Sequence, residues 1–492
     1  MDLFANLARQ GAMIDRLTSD SRRSAPGSCF FAWPGERADG RRHIAQAIAA
    51  EAAAVVWERE GFEWRDEWRV PNAGVRGLKA EAGHLAHAFY GRPSEALWMC
   101  GITGTNGKTS CSQWLAALLA RAGSRAGVIG TLGCGFPEAL ADTGNTTPDA
   151  LELHRLLAGF HRDGARAVAM EVSSHGLVQG RVNGVAFRCA LFTNLTHDHL
   201  DYHGSMERYA EAKARLFAVP TLDTAVLNLD DVLGVRLAQQ LAARGLRTIG
   251  YALTPAAVAP GSVTQQLVAR EIRFTPQLTH VALASSWGDA EIALRPPGRF
   301  SVANALGVLG CLLAYGVPFA EAAARLEHLP DVPGRMQRIG GEGEPLLVVD
   351  YAHTPDAIEK VLQALRPVAA ARGGRLVAVF GAGGDRDPSK RPLMGAAASR
   401  HADRVVLTCD NPRSEDPLAI IEAIRAGVTV PCVVEPDRGH AIGQAVREAA
   451  CADVVLLAGK GHETDQEIAG ERRPFSDSVC ARAALAQRAA AP

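Results

Sequence analysis

The sequence lacks the features that mark several large classes of protein. Its 492 residues carry a formal net charge of −1, so it has no basic footprint of the kind that nucleic-acid binding requires. No apolar run approaches the roughly 20 residues that cross a bilayer. Low-complexity tracts are absent apart from an alanine-rich tail at 483–492, which we expect to fray. We therefore predict a soluble protein that binds no nucleic acid and inserts into no membrane.

Cysteine pairs and a leader segment are also missing. The ten cysteines are scattered without a Cys-x-x-Cys pair or the spacing of a metal site. No charged-then-apolar leader opens the chain. Together these absences predict reduced thiols and a cytoplasmic protein, which we expect to be a monomer.

The length of the chain favours several domains. At about 150 residues per domain, 492 residues predict three. We place them at 1–90, 91–332 and 333–492, with proline-rich residues 330–333 as a hinge into the third. Short apolar runs alternating with helical patterns predict an α/β fold.

A glycine-rich stretch, GITGTNGKTS at 101–110, joins an apolar strand at 97–100 to a helical run at 113–122. Its glycines let backbone N–H groups turn toward an anion, Lys108 neutralises phosphate oxygens, and the Thr109 hydroxyl can hold Mg²⁺. Ile102 stands where the general Walker spacing has glycine, so the stretch follows the narrower form GxTGTNGKTS. The pattern predicts a nucleoside triphosphate site; the alternative is a glycine-rich turn beside a surface lysine.

A second feature of this central region is a carboxylate at a strand end. Thr147-Pro148-Asp149 is typical of a helix start, with a hydroxyl cap and proline in the first turn, and we expect this helix to run to about Gly164. The apolar run 167–171 then predicts a buried parallel strand that ends in Glu171. Parallel sheets place Mg²⁺ ligands at that edge, although an acid paired with arginine is an alternative.

Polar residues crowd the next strand end, after the strand at 189–192. His197, Asp198 and His199 stand within three residues. They could bind a metal, or they could form a turn with solvated histidines.

Lys213 occupies an unusual place on the helix that we expect from Ser205. The apolar positions follow the 3.6-residue period and put Lys213 on the core face, in the stripe Met206, Tyr209, Lys213, Leu216 and Phe217. A snorkelling lysine or a buried ion pair is one interpretation. The other is a desolvated, neutral amine that takes up CO2 as a carbamate and so becomes a metal ligand.

The two ends of the chain carry further polar clusters. Near the N-terminus, Ser21, Arg22, Gly35 and 39–42 suit a diphosphate or a sugar nucleotide, although a solvated turn explains them as well. After short strand-like runs in 251–292, which we leave unplaced, and an apolar helix at 303–315, four strands alternate with helices. These strands are predicted at 346–349, 376–380, 405–407 and 454–457. Polar clusters follow each of them, at 350–353, 381–386, 410–413 and 459–463, which predicts a ligand site at the carboxyl edge of a parallel sheet.

The order of these motifs resembles the Mur ligases over essentially the whole chain. The motifs that carry the resemblance are GxTGTNGKTS, EVSSHGLVQGRV, TNLTHDHLDYHG, PGRMQ, DYAHTPDA, GGDRDPSKRPLMG, DNPRSEDP and GKGHE. Within the family, the chain is most similar to the ligases that add 2,6-diaminopimelate to UDP-MurNAc-L-Ala-D-Glu in peptidoglycan precursor synthesis. The resemblance implies an N-terminal domain that grips the UDP group, a central ATPase domain with a P-loop-type parallel sheet, and a C-terminal Rossmann-like domain that brings the amino acid.

The resemblance also implies roles for individual residues. Contacts to the UDP-MurNAc-dipeptide are implied for Ser19, Ser21, Glu36, Arg37, Ala38, Asn145, Thr146, Thr147, Ser173, Gln179 and Arg181. Contacts to ATP are implied for Gly104, Thr105, Asn106, Gly107, Lys108, Thr109, Ser110, Asn304, Arg335, Asp350, Tyr351 and His353, while Ser301 stands where the family has asparagine. Two Mg²⁺ ions are expected, held by Thr109, Glu171, His199 and a carbamylated Lys213; Lys108, Glu171, His199 and Lys213 are the expected catalytic residues.

For the third substrate, the resemblance points to Arg386, Asp410, Asn411, Pro412, Arg413, Gly459 and Glu463. The distal carboxylate of diaminopimelate needs a planar donor, and its distal ammonium needs an acid. Arg413 and Glu463 supply these groups, which favours meso-diaminopimelate over lysine.

Two rival interpretations stay open at the level of sequence. Folylpolyglutamate synthase and other Mur ligases share the ATPase core, but they leave the DNPR and GKGHE motifs unexplained. A scaffold that binds ATP and UDP-sugars without joining anything is the alternative outside the enzymes. The presence of Lys108, Glu171, Lys213 and Arg413 argues against it.

Overall fold

The computed structural model describes residues 3–36, 38–257, 261–275 and 277–489. They form two compact units. The first contains the described residues of 1–250, 259–264 and 310–317, and the second those of 251–258, 265–309 and 318–492.

The first unit begins with a small α/β layer. Four short parallel strands lie in the order β1-β2-β3-β4. Residues on one face of this sheet, including Phe31 and Val56, pack with Leu7, Leu78 and Ala82 of the neighbouring helices. The expected α/β character of the first ninety residues is confirmed. The strands are β1 Arg16–Thr18, β2 Ser28–Ala32, β3 Ala54–Glu58 and β4 Asn72–Val75, and the helices are α1 Leu3–Arg9, α2 Ile44–Ala49, α3 Leu78–Phe89 and α4 Pro93–Ala96.

The central sheet of the first unit carries the phosphate loop. Its strands lie in the order β12-β11-β10-β5-β9-β6-β7-β8, and β11, β10, β5, β9 and β6 are parallel neighbours. The strands are β5 Trp98–Thr103, β6 Ala126–Gly130, β7 Gly133–Phe136, β8 Ala139–Ala141, β9 Ala167–Glu171, β10 Phe187–Phe192, β11 Thr224–Asn228 and β12 Arg247–Ala252. The helices are α5 Lys108–Arg121, α6 Ala150–Arg162, α7 Ser174–Val178, α8 Leu200–His203, α9 Met206–Ala214 and α10 Val232–Ala242. Because β5, β9 and β10 are neighbours, the motifs that follow them share one edge of the sheet.

The second unit contains a six-stranded sheet in the order β16-β17-β21-β18-β19-β20. β16 is antiparallel to β17 and the other pairs are parallel. Alternate residues of β17 enter opposite apolar clusters, Leu346 and Val348 on one face and Leu347 and Val349 on the other. The sheet therefore has helices on both faces, as the continuous apolar strands predicted.

The region 251–292, which the sequence left unplaced, contains three strands of a meander among its described residues. β13, β14 and β15 pair antiparallel, and the long first strand, 265–274, was not foreseen. The strands of the second unit are β13 Gln265–Phe274, β14 Thr279–Ser285, β15 Ala290–Leu294, β16 Gln337–Gly340, β17 Leu346–Asp350, β18 Leu376–Phe380, β19 Arg404–Leu407, β20 Cys432–Val434, β21 Val454–Ala458, β22 Asp465–Ile468 and β23 Glu471–Pro474. Its helices are α11 Arg299–Tyr315, the end of which lies in the first unit, α12 Phe319–Arg325, α13 Pro355–Arg372, α14 Lys390–His401, α15 Pro417–Arg425, α16 Arg438–Glu448 and α17 Asp477–Ala489.

One predicted helix start needs correction. α6 begins at Ala150, and its cap is Asp149, whose carboxylate accepts from the N–H groups of Leu151 and Glu152. The Thr147 hydroxyl instead donates to the carbonyl of Glu171, 3.0 Å away. Asp149, rather than Thr147, caps the helix because its side chain reaches both N–H groups from the position directly before the helix.

Two expectations from the sequence, on membrane insertion and on the scattered cysteines, can be compared with the structure. Within the described residues, no helix is long and apolar enough to cross a membrane. Three cysteines that are far apart in sequence meet in the core of the first unit: the sulfurs of Cys100, Cys189 and Cys311 lie within 4.8 Å of one another, because two stand on paired strands and the third on α11.

Candidate active site

The phosphate loop lies between β5 and α5 with its backbone turned for an anion. Gly104 has φ +150° and Gly107 has φ +87°, conformations that a side chain disfavours. A Cβ at Gly104 would stand 1.8 Å from Oγ1 of Thr193. Lys108 Nζ donates to the carbonyls of Gly104 and Thr105, at 2.9 Å each. The cation is therefore held across the mouth of the loop, where phosphate oxygens would meet it.

The end of β10 clamps the phosphate loop. Asn194 accepts from the Thr105 N–H through its carbonyl, at 2.8 Å, and from the Asn106 N–H through its side chain, at 3.0 Å. The Thr193 hydroxyl donates to the Asn106 carbonyl at 2.6 Å, and Thr196 N–H donates to the Thr105 hydroxyl at 3.0 Å. The TNLT motif thus fixes the loop by its own hydrogen bonds.

We expect a Gly104→Ala substitution to disrupt this clamp. The new methyl group overlaps Thr193 and the backbone is strained by about 1–3 kcal/mol, so the melting temperature and the affinity for ATP should both fall. Gly159→Ala is the matched control, since a Cβ there meets nothing nearer than 3.8 Å and replacing a helical glycine stabilises by about 0.5–1 kcal/mol. Calorimetry with and without ATP makes the comparison; equal ATP affinity in Gly104→Ala would contradict the assignment of the loop.

Glu171 lies fully buried at the end of β9, beside the start of α5. Its carboxylate accepts from the Thr109 hydroxyl at 3.0 Å, and from the N–H and hydroxyl of Thr131 at 2.8 and 3.1 Å. No arginine pairs with it in the described part of the chain, so that alternative is wrong. Clustered carboxylate and hydroxyl oxygens are the hard donors that Mg²⁺ prefers, so these residues fit the ion.

Lys213 is buried in α9, with 1% of its surface exposed. Its Nζ lies 4.3 Å from the centre of the Tyr209 ring, and no carboxylate of the described residues lies within salt-bridge distance. Burial, together with repulsion from Lys108, holds the pKa of Lys213 well below its ordinary value. The interpretations of Lys213 as a snorkelling lysine or as half of a buried ion pair are therefore wrong. The amine loses its proton more easily than that of an exposed lysine.

His199 lies beside this group, in a left-handed backbone conformation with φ 53°. Its ring is 4.9 Å from that of His175 and 6.0 Å from that of Tyr209. Partial burial lowers the pKa of His199; the nearby Asp198 opposes this shift and Lys108 adds to it, so the imidazole is neutral and able to bind a metal near pH 7. Among the described residues, His197, Asp198 and His199 do not form one convergent set of metal ligands.

A chain of polar contacts in the first unit joins several residues expected to bind the UDP substrate. Gln179 donates to the Glu36 carboxylate at 3.2 Å and accepts from Arg181 at 2.8 Å. Arg181 also donates to the Thr147 carbonyl at 2.7 Å, and the hydroxyls of Thr147 and Ser173 are 3.1 Å apart.

The remaining predicted contacts to this substrate are more dispersed. Ser21 is buried and donates to Gln46 at 2.9 Å, Thr146 hydrogen bonds with Thr131 at 3.0 Å, and Ala38 and Asn145 are exposed. Ser19 is partly exposed in the loop after β1. Arg37 lies outside the described residues.

The second unit contains further residues expected to contact ATP, and three of them, Arg335, Tyr351 and His353, are neighbours. The Arg335 guanidinium lies 4.6 Å from the centre of the Tyr351 ring, and His353 is 4.8 Å from the same ring. Asp350 accepts from the N–H groups of Met336 and Ala352, at 2.8 and 2.9 Å, while burial raises its pKa. Asn304 is buried in α11.

The DNPR and GKGHE motifs meet at the carboxyl edge of the second sheet. Glu463 accepts from Asn411 and from Lys460 Nζ, at 2.9 Å each, and Lys460 also donates to Asn411 at 3.0 Å. Burial tends to raise the pKa of Glu463, but the hydrogen bond and charge of Lys460 lower it overall. A Cβ at Gly459 would stand 2.3 Å from the carboxylate of Asp410, so that glycine permits the two motifs to touch.

Other parts of this edge differ in their exposure. Arg386 is exposed, whereas Asp410 and Asn411 are buried. Arg413 has φ 52° and donates through Nη1 to the Gly384 carbonyl at 2.7 Å.

Sequence reasoning missed several residues that the structure places in these clusters: Thr131, Thr193, Tyr202, Tyr209, Lys460 and Glu467. Lys460 stood within a recognised motif, so its signal was available. Tyr202 also stood within a recognised motif, TNLTHDHLDYHG, and it contacts Glu36. Thr131 carries no local pattern, and only its contact with Glu171 identifies it.

The phosphate loop after β5, with Glu171 and Thr109 beside it, fits an ATP-dependent enzyme, and the comparisons with known families identify the class as the Mur ligases. The Mur ligase family, catalytic domain, matches residues 13–90; the Mur ligase middle domain matches 102–312; and the Mur ligase, glutamate ligase domain, matches 334–461. The chain belongs to the Mur ligase family.

Individual relatives narrow the comparison. A UDP-N-acetylmuramoyl-L-alanyl-D-glutamate--2,6-diaminopimelate ligase of Ralstonia nicotianae is 53% identical over 479 residues, which are 96% of this chain and 93% of the relative. A solved structure with the same protein name is 35% identical, covers 97% of this chain and 95% of its own, and has a TM-score of 0.70. Folylpolyglutamate synthase of Mycobacterium tuberculosis shares the fold, with a TM-score of 0.60, 18% identity and coverage of 77% of this chain and 92% of its own. The three-domain α/β fold is thereby confirmed.

Proposed function

We propose that this protein is an ATP-dependent amide ligase that adds meso-2,6-diaminopimelate to the D-Glu γ-carboxylate of UDP-MurNAc-L-Ala-D-Glu. The observation that carries the proposal is the 53% identity to a ligase of that name over 96% of the chain. The product is a peptidoglycan precursor. We further propose that the enzyme acts in the cytoplasm as a monomer, with domains at 1–90, 91–332 and 333–492.

The reaction requires activation, because a carboxylate does not react with an amine at neutral pH. The γ-carboxylate oxygen of the dipeptide attacks the γ-phosphorus of ATP, the bond to ADP breaks, and an acyl phosphate forms. The diaminopimelate amine then attacks the acyl carbon, and phosphate leaves as the amide bond forms. The enzyme forms no covalent bond, so its residues act by orienting groups and by stabilising charge.

Different groups of the phosphate loop orient the phosphates and stabilise their charge. The N–H groups of 104–110 bind the phosphates, and Lys108 exchanges the loop carbonyls for phosphate oxygens, where negative charge shifts during transfer. Contacts to ATP are also proposed for Arg335, Asp350, Tyr351, His353 and Asn304, as the family resemblance implies.

The metal donors lie in the first unit. Glu171 and His199, with the Thr109 hydroxyl, would hold Mg²⁺, and a carbamate on Lys213 would help to hold a second ion. Bound Mg²⁺ neutralises the phosphate charge and polarises the oxygens. A neutral Lys213 amine adds to CO2 and loses a proton, which gives the carbamate.

The UDP-substrate is assigned to the polar chain of the first unit. Ser19, Ser21 and the loop 36–38 would contact the UDP group. Asn145, Thr146, Thr147, Ser173, Gln179 and Arg181 would hold the MurNAc-dipeptide, which would bring its γ-carboxylate toward the phosphate loop.

The acceptor is assigned to the edge of the second sheet. Arg413 would bind the distal carboxylate of diaminopimelate, and Glu463 its distal ammonium, with Arg386, Asp410, Asn411, Pro412 and Gly459 shaping the site. The lowered pKa of Glu463 keeps it ionised for this role.

Phosphate release with purified protein, ATP, Mg²⁺ and UDP-MurNAc-L-Ala-D-Glu tests the function while the amino acid is varied. We expect release with meso-diaminopimelate and an amide product by mass spectrometry. Release with glutamate and a folate instead would support the folylpolyglutamate synthase alternative. Binding of ATP without any product would support a scaffold.

Arg413→Ala tests the choice of acceptor. We expect the KM for diaminopimelate to rise about 100-fold, because loss of a charged contact to the distal carboxylate costs roughly 3 kcal/mol. The rate of phosphate release with lysine should be the same as for the unaltered enzyme, because lysine has no distal carboxylate. Arg425→Ala is the control: Arg425 is an exposed arginine of α15 that pairs with Glu422 of the same helix. An unchanged preference for diaminopimelate would remove Arg413 from the site.

A further inference from the structure

The hairpin formed by β22 and β23, Asp465–Pro474, holds the DNPR motif at several points. The Arg413 N–H donates to the Glu467 carbonyl at 3.1 Å, and the Ala469 N–H donates to the Arg413 carbonyl at 2.7 Å. Arg413 also forms a parallel bridge with Ile468. The first strand of the hairpin therefore pairs directly with the DNPR motif.

The same strand also fixes the start of the motif. The Gln466 side chain donates to the Asp410 carbonyl at 2.7 Å, and the Glu467 N–H donates to the Asn411 side chain at 3.0 Å. These contacts hold Arg413 in a left-handed conformation, φ 52°, which a residue with a side chain disfavours. Such a conformation persists because the surroundings impose it.

The Arg413 side chain is oriented from two sides. Its Nη1 donates to Gly384 at 2.7 Å, and its Nε lies 3.6 Å from a carboxylate oxygen of Glu467, with 26% and 31% of the two side chains exposed. In the described part of the chain, Nη2 of Arg413 has no hydrogen-bond acceptor. The protein thus holds Nε and Nη1 of the guanidinium, while Nη2 stays open to a ligand.

We propose that the β22–β23 hairpin is a specificity element of the acceptor site, in which Glu467 is a positioning residue that aims Arg413 at the distal carboxylate of the amino acid. This inference rests on the proposed function. Glu467 does not itself touch the substrate. It acts by reducing the freedom of a long side chain, and an arginine that is already oriented loses less entropy on binding a carboxylate.

Full-length Glu467→Gln protein tests this role by steady-state phosphate release with three acceptors. Meso-diaminopimelate has both distal groups, 2-aminopimelate has the distal carboxylate alone, and lysine has the distal ammonium alone. We expect the KM for diaminopimelate, and the KM or inhibition constant for 2-aminopimelate, to rise about tenfold, as for loss of one charge-assisted contact. The constant for lysine, kcat with diaminopimelate, and the KM values for ATP and the UDP substrate should change less than twofold. Glu467→Asp, which keeps the charge, should recover part of the loss.

Glu471→Gln is the matched control on the same hairpin, because Glu471 is exposed and, among the described residues, its carboxylate pairs with Arg473 and not with Arg413. It should leave all constants unchanged. Equal losses for lysine and diaminopimelate in Glu467→Gln, or no loss for either, would overturn the positioning role. A lack of phosphate release by the unaltered enzyme with diaminopimelate would instead refute the proposed function, and that result is read before any variant is compared.

Discussion

Replacement of Lys108 by alanine should lower turnover by at least about 10³-fold, the upper range for removal of a preorganised charge-stabilising group. Lys108 is the cation of the phosphate loop, and its Nζ is fixed by two loop carbonyls at 2.9 Å. Its contribution grows as charge shifts between the γ-phosphate and its neighbours, so kcat should fall more than affinity. Phosphate release and isothermal titration with the UDP substrate measure the two effects separately.

The UDP substrate should bind the Lys108→Ala variant within about threefold of normal, because Lys108 makes none of the contacts assigned to that substrate. Lys360→Ala provides a control of the same chemistry, since Lys360 pairs with Asp356 on the surface of α13. Isotope exchange between ADP and ATP, in the presence of the UDP substrate, that persists in Lys108→Ala would contradict its role in phosphoryl transfer.

Lys213→Ala should lose about 10²–10³-fold in turnover and regain part of it with a short carboxylic acid such as acetate. The loss follows because the carbamate would supply a ligand oxygen that alanine lacks. The rescue follows because removal of the side chain leaves space in which acetate can place its own carboxylate. Activity is measured as phosphate release over a range of acetate concentrations.

The burial of Lys213 also determines how formation of the carbamate in the unaltered enzyme depends on pH. Its pKa is well below the ordinary value for lysine, so the neutral amine that reacts with CO2 persists to lower pH than on an exposed lysine. Lys213→Met is the control: methionine keeps the packing and fills the space, so this variant should be inactive and resist rescue. Lys213→Ala that stays inactive at every acetate concentration would mark a structural lysine.

The local chemistry of the site was predictable from the sequence where it depends on neighbours in the chain. The phosphate loop, the strand ending in Glu171 and the core-facing position of Lys213 were all read from short patterns. The helix with Lys213 begins after Ser205, as expected, and the strand 167–171 has the predicted bounds. The start of α6 was misplaced because two neighbouring residues could cap it.

Contacts between distant segments were not predictable in this way. Tyr202 donates to Glu36 across 166 positions at 3.0 Å, and Cys100 and Cys311 approach to 3.8 Å across 211. The polar residues of 410–413 were recognised, but the pairing of Arg413 with Glu467 was not. No spacing rule reports such pairs, since they depend on which strands become neighbours.

The amino-acid sequence by itself determined the element types, the phosphate loop and the membership of the chain in its family, because periodicity, glycine placement and motif order are local or linear properties. Only the tertiary structure decided that Lys213 has no carboxylate partner within the described residues, that Thr131 completes the surroundings of Glu171, and that a C-terminal hairpin orients Arg413. These facts depend on burial and on the order of strands in a sheet, which are set when remote segments pack together and exclude water.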